Sequence, residues 1–182
     1  MLWVVFTKSD SLISKVIRWA TNGSYSHALL LWEDPMLGWM RMEAEWDGYH
    51  IRPHRQGSPR LDGIRVIEKV PVDSLNTCAI PLSNTYDGLL RVCAQWLGHR
   101  YDYQGIVGFL FVVIGRLIKK RWTNPLSSPS RLFCSEAIAR GLKDMKHPGF
   151  SDIEPSEVSP QDLFDVLKQE RKAIWSLEPK EQ

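Results

Sequence analysis

A chain of 182 residues and 21.0 kDa is the size of one domain. Hydrophobic residues make up 43% and charged residues 24%, an ordinary globular mix that excludes a disordered chain, a collagen-like repeat and a coiled coil. Lys and Arg number 23 against 21 Asp and Glu, so no global charge invites nucleic acid, and three cysteines without a CxxC pair provide neither a disulfide framework nor a cysteine zinc site.

Leu2–Phe6 is a short apolar run and reads as a first strand; it lacks the basic leader and the apolar length of a secretory signal. Ser9 or Asp10 is placed to cap a helix whose apolar positions Leu12, Ile13, Val16, Ile17 and Ala20 follow the 3.6-residue period. Asn22-Gly23-Ser24 breaks that helix, and His27 opens a strand through Trp32. Asp34-Pro35 and Gly38 mark a turn, Trp39–Trp46 is the hairpin partner, and Asp47-Gly48 is the next turn. Two more strands are expected at Tyr49–Pro53 and Ile64–Val70, with an exposed polar loop, Arg52–Leu61, between them.

Helical patterns follow at Tyr86–Leu97, Tyr103–Lys119 and Phe133–Lys143, with a Pro/Ser-rich loop at Thr123–Ser130. Ser159-Pro160-Gln161-Asp162 is a helix start, with a Ser cap, Pro at the first position and an acid beyond it. Strands come first and helices later, which argues for an α+β fold, an antiparallel sheet packed against helices. The longest apolar run, Gly105–Gly115, is eleven residues, whereas a spanning helix needs about 20. It reads as a core or partner-docking helix. The flank Lys119-Lys120-Arg121-Trp122 leaves peripheral membrane contact through residues 105–122 as the alternative. With no spanning or secretory segment, a cytoplasmic or virion-associated setting is expected.

Cys134 stands where a loop becomes a helix, so unpaired N–H groups and the helix dipole favour its thiolate. Cys93 lies on an apolar helix face and Cys78 in an apolar stretch ending at Pro81, and both read as structural. A thiolate nucleophile needs a base and a group that orients the base. His27, at a strand start beside a Gly-containing loop, is the favoured base over His50, His54, His99 and His147. Glu43 and Glu45 share one face of the neighbouring strand, and spacing alone does not choose between them. No metal or cofactor is expected. The basic residues Arg52, Arg55, Arg60, Arg116, Lys119, Lys120 and Arg121 accompany no nucleic-acid motif and read as a solvated face.

Taken in order, Ser26-His27-Ala-Leu-Leu-Leu, Met42-Glu43-Ala44, Gly98-His-Arg-Tyr101-Asp102, Phe133-Cys134-Ser135-Glu136 and Val158-Ser-Pro-Gln-Asp-Leu163 resemble the circularly permuted branch of the NlpC/P60 papain-like superfamily. That branch holds the YiiX-like proteins and, more distantly, the lecithin:retinol acyltransferase-like proteins. Histidine precedes cysteine, as the permuted branch requires. The resemblance implies a papain-like catalytic domain over residues 1–165 with an apolar and basic insert at about 103–131, and a tail at 166–182. It implies Cys134 as nucleophile, His27 as base, Glu43 as the orienting acid and Tyr101 as a supporting hydroxyl beside the nucleophile, with Glu136 and Asp102 structural. The implied activity is cleavage of an amide or ester through a thioester, with peptidoglycan-type peptide amides as the first substrate class. The alternatives are a lipid acyltransferase or thioesterase at a membrane surface, and a non-catalytic docking module such as one in a phage particle.

Overall fold

The computed structural model describes residues 1–45, 47–54, 65–67, 70–72, 77–82, 88–102 and 131–177, with Gly108 and Gly115 as isolated helical positions. The expected helix at Tyr103–Lys119, the loop at Thr123–Ser130 and nearly all of the insert lie outside the described residues, as does most of the polar loop after Arg52.

Five strands make one antiparallel sheet: β1 (Leu2–Thr7), β2 (His27–Asp34), β3 (Gly38–Glu45), β4 (Gly48–Pro53) and, skipping two short strands, β7 (Thr77–Pro81). Their spatial order is β4-β3-β2-β1-β7. The fold is α+β. Residues 64–70, expected as one strand, divide into β5 (Arg65–Ile67) and β6 (Val70–Val72), which pair with each other. β7 was not legible as a strand because Thr77–Pro81 is short and ends in proline; it occupies an edge, where a missing N–H is tolerated.

The continuous apolar runs of β1 and β2 are explained by burial on both faces of the sheet. On one face Val4, Phe6, Ala28, Leu30 and Met42 join one core cluster with residues from three helices. These are Leu89 and Cys93 of α2 (Leu89–Ala94), Ala137, Ile138 and Leu142 of α3 (Cys134–Asp144), and Leu163 and Leu167 of α4 (Pro160–Leu177). On the other face Trp3, Val5, Leu29, Leu31 and Ala79 form a second buried cluster. Each such side chain contributes about 1.5–3 kcal/mol when buried. α2 and α3 approach closely at Gly141, where a Cβ would stand 2.7 Å from both Cys93 Sγ and Leu89 Cδ1.

α1 (Leu12–Thr21) is capped by Ser11, whose hydroxyl accepts from Ser14 N–H at 3.1 Å, rather than by Ser9 or Asp10. Ser9 instead donates its N–H to Ser14 Oγ. The helix stops at Asn22, which takes the left-handed conformation (φ 49°) that asparagine tolerates. α2 is shorter than the expected Tyr86–Leu97; after Ala94 the chain turns and Gly98 adopts φ 82°. α4 begins with the Ser cap read from the sequence, and the acid beyond it closes a reciprocal box: Asp162 N–H donates to Ser159 Oγ (3.0 Å), and Ser159 N–H to Asp162 Oδ2 (3.0 Å). It runs to Leu177, so the boundary drawn at residue 165 falls inside a helix. β8 (Arg100–Tyr101) pairs in parallel with β9 (Arg131–Leu132), setting Tyr101 against Leu132, two residues before Cys134. Among the described residues, no helix is long and apolar enough to cross a membrane.

Candidate active site

The site forms where α3 starts against β2. Cys134 is the first residue of α3, after Phe133 in extended conformation (φ −108°, ψ 168°). Phe133 has no capping oxygen of its own; instead Glu136 reaches back to accept the Phe133 N–H, half of a capping box. Arg140 Nη2 holds the same carboxylate at 2.8 Å. Ser135 Oγ donates to Val158 carbonyl at 2.7 Å, pinning the helix start to the segment before α4. Sulfur is therefore held at a helix N-terminus whose first N–H groups have no helical partner. The backbone N–H groups of Ala28 and Ser135 hydrogen-bond to Cys134.

His27, the first residue of β2, hydrogen-bonds Cys134 and also places Nε2 3.2 Å from Glu43 Oε2. A carboxylate on Nε2 fixes the tautomer with hydrogen there, leaving Nδ1 as the acceptor for a thiol proton. Glu43 sits on β3, 1% exposed in its side chain, and Arg41 Nε lies 2.7 Å from its other oxygen, an ion pair by distance whose angles are not those of a hydrogen bond. Arg41 is two residues before Glu43, so strand alternation directs both side chains to one face.

Burial opposes charge on all three members of this chain of contacts. On Cys134 it is outweighed by the charge and hydrogen bond of His27, with the two backbone N–H groups adding to them, and the thiol is lowered. On His27 burial is outweighed by the Cys134 thiolate and then by Glu43, and the imidazolium persists to about 10. Glu43 is held below the usual carboxylate range against its burial by His27, Arg41 and Arg52. Each shift favours the charged form, so the three point toward thiolate, imidazolium and carboxylate in series.

Tyr101 borders the same cleft as Cys134. The cleft spans about 320 Å³ including its open mouth, with walls from Ile17, Tyr101, Phe133 and Pro160 and with Ser26 and Ser159 also in its lining. Both hydroxyls are engaged elsewhere: Ser26 Oγ with Ser14 Oγ at 2.6 Å, and Ser159 Oγ with Asp162 Oδ2 at 2.7 Å. Apart from the Cys134 sulfur itself, no charged side chain lines the cleft among the described residues.

The remaining candidates sort by geometry. Glu45, the alternative to Glu43, is instead 2.7 Å from Arg52 Nη1, in a cluster with Asp47. His50 lies 3.4 Å from Asp47, and His147 Nδ1 accepts Gly149 N–H at 3.0 Å. The backbone of His54 donates to Trp39 carbonyl, and the His99 carbonyl accepts from Tyr49. Cys78 and Cys93 are buried and in no disulfide, and burial pushes Cys93 up to about 12. Glu136 is raised to about 7, chiefly by burial, with Asp102 adding to it against Arg140. Trp46, Trp122 and the insert's basic residues Arg116, Lys119, Lys120 and Arg121 lie outside the described residues.

Arg41 was missed by sequence reasoning, although its place two residues before Glu43 was a readable signal. Ile17, Phe133 and Pro160 had no such signal, since only the fold brings α1, α3 and α4 to one opening. No protein-family model matches this chain, and no curated protein matches it.

Proposed function

We propose that this chain is a cysteine hydrolase of the permuted NlpC/P60 papain-like type, cleaving an amide or ester through Cys134, His27 and Glu43. The observation that carries the reading is the unbroken contact series from a helix-terminal thiol to a partly buried imidazole to a buried carboxylate. The thiolate attacks the substrate carbonyl, a C–S bond forms, and the electron pair moves to the carbonyl oxygen. N–H groups at the start of α3 stabilise that oxyanion, with Tyr101 at the cleft wall in support. Collapse expels the amine or alcohol, which takes the proton from the His27 imidazolium. His27 then accepts a proton from water as the hydroxide attacks the thioester, releasing the acid and the thiolate.

Peptide amides of the peptidoglycan type are the substrate class the sequence resemblance favours. A second reading, cleavage or transfer of an apolar acyl group, is favoured by the walls of Ile17, Phe133 and Pro160 and by the absence of any lining charge beyond the Cys134 sulfur among the described residues.

The reading is tested without a substrate. A small haloacetamide is applied from about pH 4 to about pH 9, and each cysteine is followed by peptide mass spectrometry in wild type and His27→Ala. Cys134 labels alone below neutrality, and loses that reactivity without His27. Labelling of Cys134 only alongside Cys78 and Cys93 at high pH removes the enzyme and leaves a docking module.

A further inference from the structure

α1 is an amphipathic helix facing the wrong way for a core helix. Its only buried residue is polar: Ser14, held to Ser26 by a 2.6 Å hydrogen bond. Its large apolar residues point to solvent, with Leu12 77%, Ile13 61%, Val16 38% and Trp19 79% exposed. Positions 12, 16 and 19 form one stripe at helical spacing, and 13 widens it. At 100° per residue Lys15 falls along one edge of this stripe, beside Trp19, and Ile17 along the other, beside Ile13; Arg18 lies further round toward Ser14, with Nη2 donating to the Ser9 carbonyl. Ile17 is also a wall of the Cys134 cleft, so the apolar face and the cleft mouth adjoin.

We propose that this face of α1 docks the protein on an anionic phospholipid surface. Charge chooses the occupant. Between Lys8 and Thr21 the chain carries Lys8, Lys15 and Arg18 against the single Asp10, and α1 itself has no acid. Lys15 edging a stripe of Leu, Ile, Val and Trp, in a segment of net positive charge, matches a headgroup layer of negative charge above acyl chains. Trp19 has the amphipathic ring that settles at that level. Docking in this orientation puts the cleft mouth beside the lipid, so the substrate class becomes an amphiphile presented by the surface. That last step rests on the thiol-hydrolase reading, whereas the docking itself does not.

The full chain is sedimented with vesicles of phosphatidylcholine alone and of phosphatidylcholine with phosphatidylglycerol. Leu12→Gln/Trp19→Gln and Lys15→Glu are compared with wild type, with Cys134 alkylation as the check that the fold and the thiol are intact. Wild type binds the anionic vesicles and releases them as salt rises. The double variant weakens binding by about tenfold or more, and Lys15→Glu by about fivefold or more, with alkylation unchanged in both. Three results each overturn the proposal: no binding to either vesicle; binding that the double variant leaves intact; or a lipid-free, concentration-dependent dimer that the double variant abolishes, without vesicle binding. Loss of low-pH Cys134 labelling in wild type with vesicle binding retained refutes the hydrolase and keeps the docking surface.

Discussion

Glu43→Gln is the substitution that most directly separates this site from an accidental cluster. The carboxylate is almost fully buried, 3.2 Å from His27 Nε2, and it supports the positive form of the ring. A hydrogen bond to a charged group contributes about 1.5–3 kcal/mol, and each 1.36 kcal/mol corresponds to about one pKa unit. Removing the charge while keeping the shape therefore lowers the His27 midpoint from about 10 by about one to two units. Sign follows from the loss of an anion beside a cation. The raised His27 midpoint contributes stability that is full below about 6.5 and is lost as pH climbs through about 10, so the variant loses it earlier. Ring proton chemical shifts followed across alkaline pH read the midpoint directly. Glu45→Gln, whose partner is Arg52, leaves it within about half a unit, as expected for a partly exposed pair. Glu43→Gln also strands Arg41, and an unpaired buried charge costs about 3–5 kcal/mol; adding Arg41→Met removes that charge and keeps His27 readable. An unchanged midpoint in the Glu43 variant, or a larger shift from Glu45, refutes the assignment.

Three further outcomes test the scaffold around the site. Gly141→Ala places a Cβ 2.7 Å from Cys93 Sγ and Leu89 Cδ1, and overpacking outweighs the helix-propensity gain, for a net loss of about 1–2 kcal/mol in denaturant melts that Cys93→Ala partly restores. Glu136, raised from 4.5 to about 7, gives stability that is full below the unfolded value and falls by up to about 3 kcal/mol as pH rises through 7; Glu136→Gln flattens that slope between about pH 5 and about pH 8, and an unchanged slope sinks the attribution. Ser14→Ala leaves the Ser26 hydroxyl without its 2.6 Å partner and costs about 1–3 kcal/mol, while exposed Lys15→Ala changes stability by less than about 0.5 kcal/mol in the same melt.

Legibility divided along a physical line. Features set by neighbours in sequence were readable: the Asp47-Gly48 turn, the Ser159–Asp162 box, His27 at the head of β2 and Cys134 at the head of α3. Features set by distant pairing were not. Nothing local marks Thr77–Pro81 as a sheet edge, or sets Tyr101 beside Leu132 through a two-residue parallel ladder. The choice of Glu43 over Glu45 shows the limit within one strand. Period-two alternation puts both on one face, and only the tertiary partner, His27 for one and Arg52 for the other, distinguishes them.

α1 carries the same lesson further. Periodicity locates an apolar stripe on a helix but says nothing of which way the body of the protein lies. In this chain the orientation is decided by four serines. Ser14 bonds Ser26, accepts from Ser9, and donates its N–H to the cap Ser11, so the polar side of the helix is the side tied to the residue preceding His27. Leu12, Ile13 and Trp19 are thereby left mostly in water, each forgoing much of the about 1.5–3 kcal/mol that full burial would contribute. A serine clasp that holds a helix apolar side outward beside a reactive thiol makes sense when something apolar arrives to cover it, and the basic edge of that helix states what charge it must bear.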